Sequence, residues 1–395
     1  ECPAPNIPDT VRKQLHDTAA RLAEAVHYRN AGTVEFIYDA GENTFYFLEV
    51  NTRLQVEHGV TEQVYGVDLV AWMLRQAAGE LGDIKQLGAA LKPRGHALQA
   101  RLYAEDANKN FQPSAGLLSA VDFPPADGQA LRIDTWVEAG LTVSPYFDPM
   151  LAKVIVWQDD RARAIDALDA ALADTMLEGI ETNADYVRTI LATPEFHAGE
   201  VHTRFLNDLA YQPHTVDVLA PGTMTTVQDF PGRVGYWDIG VPPSGPFDNY
   251  SLRLGNRLLG NPEGTAGLEI TINGPTLKFN TATDFVLAGA ALHATLDDQP
   301  VPFCQVVRAE PGQVLTIGKV VASGARAYLM VAGAIQCADY LGSKSTFTLG
   351  QFGGFAGRAL RTGDVLHLVE QPQSEQRSKA PEALRPEIDG NWQLR

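Results

Sequence analysis

The apolar residues near the start of the chain recur at helical spacing. Five of them are separated by three or four positions and so share one helix face: Val11, Leu15, Ala19, Leu22 and Val26. Asp9 stands just before this stripe, where an aspartate side chain can cap the first turn of a helix. The pattern predicts one amphipathic helix with Asp9 as its N-cap.

The pattern then changes to short β-rich runs. Residues 33–38 and 45–50 are typical of strands, and residues 39–44 between them are typical of a turn. If the turn centres near Glu42, Glu35 and Glu49 face each other across a hairpin. The spacing also predicts helices over 67–78, 161–176 and 183–191, and strands over 96–105, 132–137 and 152–157.

From about residue 216 the sequence alternates short strand-like runs with turn residues. The runs lie at 285–287, 294–296, 314–317, 327–331 and 365–368, and one helical stretch covers 249–259. Regularly spaced short strands are typical of an all-β, barrel-like domain. We therefore predict a multidomain α+β protein whose C-terminal part is mainly β.

Five polar residues at and after the end of the second predicted strand share one parity: Glu49, Asn51, Arg53, Gln55 and Glu57. In an extended chain they would line one face, because successive side chains point to opposite sides. Such a face could hold a metal, an oxyanion and a proton acceptor. The alternative is the solvated face of an edge strand.

Two opposed carboxylates at Glu35 and Glu49 are destabilising unless a cation lies between them. Magnesium prefers one or two carboxylates together with phosphate oxygens of a substrate. The pair therefore predicts a site for Mg²⁺ that carries a nucleotide. The alternative is two exposed glutamates on an ordinary hairpin.

Composition narrows the classes of function. At 395 residues the chain is long enough for two or three domains. Its net charge of −17 argues against nucleic acid or an anionic membrane as partner, since phosphate binding needs a basic patch. The three cysteines form no CxxC pair, and an odd number of cysteines cannot all pair in disulfides. We therefore expect the protein to reside in the reducing cytoplasm. No apolar run approaches the roughly 20 residues that span a bilayer.

Residues 49–58, followed by Val60-Thr61-Glu62, closely resemble the signature of biotin carboxylases. These are ATP-grasp enzymes that carboxylate biotin with bicarbonate and ATP. Residues 1–5, 94–97, 101–106, 146–153 and 179–183 continue the resemblance, which runs to about residue 208. One departure is Gly59, where the usual residue is proline.

The resemblance implies roles for individual residues. Glu35 and Glu49, with Asn51 beside them, match the ligands of Mg²⁺ or Mn²⁺, and Asn51 also lies among the positions that bind bicarbonate or biotin. ATP would be the nucleotide.

The catalytic roles implied by the resemblance fall on five residues. Glu57 matches the base that deprotonates bicarbonate, and Arg53 the residue that holds bicarbonate and the charge developing on biotin. Arg101 matches a second arginine that stabilises the biotin anion. Gln55 and Val56 match residues that seat bicarbonate.

Two loops rich in proline and glycine, 226–233 and 240–248, stand out in the β-rich part, because such loops often bind ligands. They supply five candidates for a carboxyltransferase pocket: Gln228, Asp229, Ser244, Gly245 and Asp248. The alternative is a rigid crossover in which Asp248 merely caps the following helix. These loops, with residues 251–256 and 268–269, resemble the allophanate hydrolase subunit 2 family, and the resemblance extends from about residue 216 to at least residue 371.

The two resemblances divide the chain. They imply the C-terminal part of an ATP-grasp domain over 1–92, a biotin carboxylase C-terminal domain over 93–210, a linker over 211–217, and a carboxyltransferase domain, incomplete at the end of the sequence, over 218–395.

This combination resembles urea carboxylases, which carboxylate urea to allophanate. It implies ATP, bicarbonate and urea as substrates, a separate biotin carboxyl carrier domain, and a homo-oligomer. The alternatives are a carboxylase of another amide or guanidine-type nitrogen and a non-catalytic regulatory binding module.

No Gly-rich phosphate loop precedes Glu35, and no Ala-Met-Lys-Met tetrapeptide accepts biotin. We therefore expect a piece of a larger carboxylase that does not turn over ATP alone.

Overall fold

The computed structural model describes residues 1–369 and 379–388. Eight α-helices lie within these residues: α1 Asp9–Ala25, α2 His58–Tyr65, α3 Leu69–Ala78, α4 Ile84–Ala90, α5 Arg161–Ala173, α6 Ala184–Leu191, α7 Pro194–Ala198 and α8 Asn249–Leu259. The first part of the chain contains the strands β1 Thr33–Asp39, β2 Thr44–Asn51, β3 His96–Tyr103, β4 Glu105–Asp106, β5 Gln112–Pro113, β6 Gly116–Leu117, β7 Ala120–Asp122, β8 Leu131–Thr135, β9 Thr142–Val143, β10 Met150–Gln158 and β11 Met176–Glu178.

The second part of the chain contains the strands β12 Thr215–Ala220, β13 Thr225–Gln228, β14 Gly267–Thr271, β15 Thr276–Phe279, β16 Thr283–Gly289, β17 Leu292–Leu296, β18 Gln299–Pro300, β19 Val307–Ala309, β20 Val314–Val320, β21 Arg326–Val331, β22 Ala334–Ile335 and β23 Val365–Val369. Strand β12 begins inside the segment that the sequence assigned to a linker. No helix in the described ranges is long and apolar enough to cross a membrane.

The first helix differs from its prediction at the N-terminus. Pro8 occupies the N-cap position and makes no side-chain capping bond, so the assignment of Asp9 as cap is wrong. Asp9 is instead the first helical residue, where its charge suits the positive end of the helix dipole. Within the apolar stripe Val11 is buried, whereas Val26 is 70% exposed.

Strands β1 and β2 form an antiparallel hairpin that brings Glu35 opposite Glu49, as predicted. On the turn side of the hairpin, Phe36 pairs with Phe47. That register centres the turn half a residue before Glu42, because 36 and 47 sum to 83 rather than 84. A β-bulge at Leu48 adds one residue to β2 and so restores the glutamate pair.

The middle of the chain is organised by a three-stranded antiparallel sheet in the order β3-β10-β8. Its alternating residues bury one face against α5, where Leu102 and Val154 pack on Leu168 within one core. The other face carries α2, whose Val60 and Val64 contact Ala97 and Ile155 of the sheet. The helix that follows Glu57 is therefore seated on the strand that carries Arg101.

The second part of the chain consists of a seven-stranded sheet, β18-β17-β20-β15-β12-β23-β22, and a five-stranded sheet, β13-β14-β21-β16-β19. Both contribute to one apolar core that contains Leu277 of β15 and Leu329 of β21. Helix α8 covers the other face of the five-stranded sheet, where Gly255 leaves room for Met330. The mainly β composition is confirmed, and the described strands form two open sheets.

The two parts of the chain contact each other directly. Lys109 Nζ lies 3.0 Å from Asp217 Oδ1. The His367 ring bridges two carboxylates of the first part, with Nε2 2.9 Å from Glu181 Oε2 and Nδ1 3.1 Å from Asp185 Oδ2. We call this group the His367 bridge.

Candidate active site

The two hairpin glutamates share one amide between them. Asn51 Nδ2 donates to Glu35 Oε1 at 2.7 Å and to Glu49 Oε1 at 3.0 Å. Gln55 Nε2 approaches Glu35 Oε1 at 3.5 Å from the following turn. Because like charges on opposed residues repel, these amide donors offset part of the cost of the pair.

The same group fits a divalent cation by its donor chemistry. Glu35, Glu49 and Asn51 offer carboxylate and amide oxygens, the hard donors that Mg²⁺ prefers. Two carboxylates leave most of an octahedral shell to other ligands, such as water and nucleotide phosphate oxygens. Glu49 is exposed and Glu35 is half-buried, so the site is open to a ligand of that size.

Beyond Asn51 the chain leaves the extended conformation, and the prediction that one extended face continues to Glu57 is wrong. Asn51 pairs with Thr33, the first residue of β1, so no partner strand remains for the residues that follow. They form a turn in which His58 Nδ1 lies 2.7 Å from the Gln55 carbonyl oxygen. Glu57 is the N-cap residue of α2.

The turn nevertheless brings the predicted base against the predicted second arginine. Arg101 Nη2 donates to Glu57 Oε2 at 2.7 Å, and their side chains are 37% and 47% exposed, respectively. Arg53 is also exposed and donates to the Leu54 carbonyl at 3.4 Å. An accessible carboxylate paired with an accessible guanidinium group can bind a small anion and accept its proton.

Gln55 and Val56 are half-buried in this turn, between the hairpin glutamates and Glu57. The structure thus gathers the predicted biotin carboxylase residues at the junction of the hairpin, α2 and β3. It also shows a charged pair that the sequence analysis missed, in which Arg132 Nη1 donates to Glu62 Oε2 at 2.7 Å beneath the turn. In the sequence Glu62 lies between Val60 and Val64, but at a spacing of two residues it does not share their helix face, so no local pattern indicated its burial.

In the second part of the chain, the two proline- and glycine-rich loops meet. The buried Gln228 side chain accepts from the Gly245 N–H at 3.0 Å and donates to the Thr346 carbonyl at 3.3 Å. Gly232 lies backbone to backbone against Gly245, and a Cβ added at Gly232 would be 2.8 Å from the Pro243 carbonyl. Ser244, beside Gly245, has a positive φ of 58°.

The Asp229 carboxylate is fully engaged by a neighbouring loop. Its Oδ1 accepts from the hydroxyls of Ser343 and Ser345 at 2.5 Å each, and its Oδ2 accepts from the Lys344 N–H at 2.9 Å. Arg233, from the same proline-containing loop as Asp229, is fully buried and donates to the Ser345 carbonyl of the neighbouring loop. Asp229 therefore shapes the loops rather than presenting a free carboxylate.

Asp248 caps the helix that follows it, which is the alternative given for this residue in the sequence analysis. Its Oδ1 accepts from the Ser251 N–H at 3.1 Å and its Oδ2 from the Ser251 hydroxyl at 2.5 Å, which caps α8. The Asp248 N–H donates to the Tyr328 hydroxyl, which donates to Glu269 at 2.7 Å. Burial, followed by the Glu269 charge, raises the pKa of Tyr328. Gln228, Asp229, Ser244 and Gly245 thus lie together, with Asp248 at the start of the adjacent helix.

Three families match successive parts of the sequence. Residues 1–84 match the carbamoyl-phosphate synthase L chain, ATP binding domain. Residues 99–208 match the biotin carboxylase C-terminal domain, and residues 239–395 match the carboxyltransferase domain, subdomain A and B.

Similarity to individual proteins extends further. The chain is 46% identical to urea amidolyase of Saccharomyces cerevisiae over 98% of its own length, which is 21% of that relative. It matches the crystal structure of Kluyveromyces lactis urea carboxylase with a TM-score of 0.91 and 45% identity, over 99% of this chain and 35% of that one. The α subunit of mitochondrial methylcrotonoyl-CoA carboxylase from Rattus norvegicus is 48% identical over 52% of this chain and 28% of that relative.

The chain joins a biotin carboxylase region to a carboxyltransferase domain. It belongs to the urea carboxylase family, with which the similarity runs through both parts of the chain. It spans about a fifth of the urea amidolyase that it matches.

Proposed function

We propose that the protein carrying this chain uses ATP and bicarbonate to carboxylate urea to allophanate, with biotin as the carrier of the carboxyl group. The observation that carries the proposal is the combination of two kinds of site in one chain. A single chain joins the Glu57–Arg101 pair and the Glu35–Asn51–Glu49 group to a carboxyltransferase domain. Similarity to a urea carboxylase through both parts supports urea as the acceptor.

In the first half-reaction Glu57 accepts the proton of bicarbonate. Its carboxylate is accessible to solvent and held in place by Arg101. Arg53 binds the bicarbonate anion, and Gln55 and Val56 line the turn that receives it. Fixed guanidinium groups lower the free energy of a transition state in which negative charge develops on oxygen. Arg53 and Arg101 supply that stabilisation.

Two groups would be supplied from outside the described chain. Mg²⁺ or Mn²⁺ would be held by Glu35, Glu49 and Asn51 and would neutralise charge on the ATP phosphates. Biotin on a carrier domain would move the carboxyl group from the first site to the second.

In the second half-reaction urea binds in a pocket bordered by Ser244 and Gly245. Gln228 and Asp229 position the pocket loops from beneath, and Asp248 fixes the adjacent helix. We further infer that the two sheets are the halves of a barrel-like domain, that the whole protein is a homo-oligomer, and that it works in the reducing cytoplasm, where the buried Cys304 and Cys337 stay free.

The test is urea-dependent ATP hydrolysis by the whole protein in the presence of bicarbonate. We expect hydrolysis to rise with urea, and the Glu57→Gln variant to lose at least about 100-fold in rate, as removal of a general base does. Glu42→Gln, which changes an exposed glutamate in the hairpin turn, is the matched control and should keep the wild-type rate.

Other outcomes separate the alternatives. Hydrolysis that is indifferent to urea but stimulated by another amide or guanidine compound would replace the substrate and keep the carboxylase. A complete lack of bicarbonate-dependent hydrolysis would favour a regulatory binding module.

A further inference from the structure

A row of charged side chains crosses the sheet next to the Glu57–Arg101 pair. Lys153 of β10 is in register with Arg101 of β3 on one side and with Asp134 of β8 on the other. Directly paired residues in neighbouring strands share a face, with Cβ atoms about 5 Å apart. Arg101 and Lys153, two neighbouring cations, would repel each other. The Asp134 carboxylate offsets part of this repulsion, because its Oδ2 lies 2.9 Å from Lys153 Nζ.

Arg132 extends the row toward α2. Its Nε and Nη2 donate to the two oxygens of Asp134 at 2.8 and 2.9 Å, and its Nη1 donates to Glu62 Oε2 at 2.7 Å. A guanidinium bound bidentately has a fixed plane, so its remaining donor points in one direction. Burial raises the pKa of Asp134, but the hydrogen bonds from Arg132 and Lys153 outweigh it and the pKa is lowered.

Glu62 connects this row of charged residues to helix α2 through its ion pair with Arg132. Its side chain is only 7% exposed, and its second oxygen accepts from the Leu69 N–H at 2.7 Å. His58 Nε2 lies 3.8 Å from Glu62 Oε2, while its Nδ1 contacts the Gln55 carbonyl of the bicarbonate turn. Glu62 is thus linked to the sheet, to the start of α3 and to the turn that contains Glu57.

The apolar contacts of α2 cannot set this geometry alone. Val60 and Val64 fix the distance of the helix from the sheet, but hydrophobic contact is non-directional. A shift of α2 along the sheet would preserve that contact and still move Glu57 relative to Arg101. A directional ion pair restrains that shift.

We propose that the Glu62–Arg132 pair, braced by Asp134 and Lys153, positions Glu57 against Arg101. Glu62 and Arg132 act through α2 and are positioning residues, since neither touches Glu57. The proposal rests on the proposed role of Glu57 as the base for bicarbonate.

The experiment compares Glu62→Gln, Arg132→Gln and the double variant in the whole protein. We expect each single variant to lower kcat of bicarbonate-dependent ATP hydrolysis by about 10- to 100-fold, the effect of misplacing a reacting group by about 1 Å. The KM for MgATP should stay within about twofold, because the hairpin group is untouched. The kcat of the double variant should be no lower than that of the less active single variant, since both changes break the same contact.

Arg358→Gln is the matched control. Arg358 binds both oxygens of Asp364 at 2.8 Å with 23% exposure, against 28% for Arg132, but lies in the carboxyltransferase region. It should leave kcat of ATP hydrolysis unchanged. Single variants of the Glu62–Arg132 pair with kcat within twofold of wild type, or with independent additive losses, would overturn the proposal while leaving the function intact.

Hydrogen exchange provides the readout that does not depend on activity. We expect amides of residues 57–65 to exchange about tenfold faster in Glu62→Gln, with strand β16 unchanged as a folding control. Unchanged exchange in residues 57–65 would contradict the proposal even if wild-type hydrolysis is absent and the proposed function has failed. If Arg132→Gln also loses protection in β16, that variant has unfolded. Exchange in residues 57–65 of Glu62→Gln then tests the proposal alone.

Discussion

The His367 bridge should make contact between the two parts of the chain depend on pH. Burial lowers the pKa of His367, but the Glu181 and Asp185 carboxylates outweigh it and raise the pKa to about 10. The ordinary value for histidine is about 6.5. Because the pKa is raised in the docked state, the stabilisation is fully present below about pH 6.5 and is lost as pH rises toward 10.

The magnitude follows from the two pKa values. A difference of about 3.5 units at about 1.36 kcal/mol per unit gives an upper limit of about 5 kcal/mol. The His367 side chain is 30% exposed and Asp185 is 45% exposed, so solvent screens much of this energy. We expect about 1–3 kcal/mol, which corresponds to about a 5- to 150-fold change in the opening equilibrium.

Hydrogen exchange of the whole protein between pH 6.5 and 10, corrected for the intrinsic pH dependence of amide exchange, measures this opening. Protection of residues 181–187 should fall by that factor in wild type. His367→Gln should be as weakly protected at pH 6.5 as wild type is at pH 10. His293→Gln, which changes an exposed histidine of β17, is the control and should behave as wild type. A flat wild-type profile, or the same pH dependence in His367→Gln, would refute the reasoning.

Three further predictions concern the sites. Gly59→Ala places a Cβ 2.4 Å from Ile155 Cδ1 and should cost about 1–3 kcal/mol, and Ile155→Val should recover most of this in the double variant, measured by denaturant unfolding. Asp229→Asn turns an amide donor toward the Lys344 N–H or the two serine hydroxyls. It should destabilise the carboxyltransferase region by about 1–3 kcal/mol, measured by exchange in residues 343–346. Glu49→Gln should raise the Mg²⁺ concentration needed for half-maximal ATP hydrolysis by at least about tenfold, whereas unchanged metal dependence would remove Glu49 from the metal site.

Local pattern predicted most elements because each strand or helix carries its own signal. Helix α8 has the predicted bounds, Asn249–Leu259, since Asp248 caps its first turn and Gly260 ends it in a left-handed conformation. Strand β2 illustrates the limit. Its alternation continues in the sequence to Glu57, but the strand ends at Asn51 because its partner strand begins at Thr33.

Contacts between distant residues left no local signal. Glu57 meets Arg101 across 44 positions, and Glu181 meets His367 across 186. The family resemblance implied the proposed roles of Glu57 and Arg101 but gave no geometry. The Glu62–Arg132 pair was missed because a lone glutamate in a helix is usually solvated, and its burial depends on strand β8.

The bulge at Leu48 lies between the Glu35–Glu49 pair and the hairpin turn. Residues can be inserted into or removed from positions 40–43 without altering which glutamates face each other, provided Phe36 remains paired with Phe47. If β2 kept Leu48 but paired without the bulge, Glu49 would instead lie opposite Val34 and its carboxylate would point to the other face. The length of the loop can therefore vary among homologues without disturbing the glutamate pair. An additional residue between Phe47 and Glu49, by contrast, must be accommodated by a bulge if the two glutamates are to stay opposite each other.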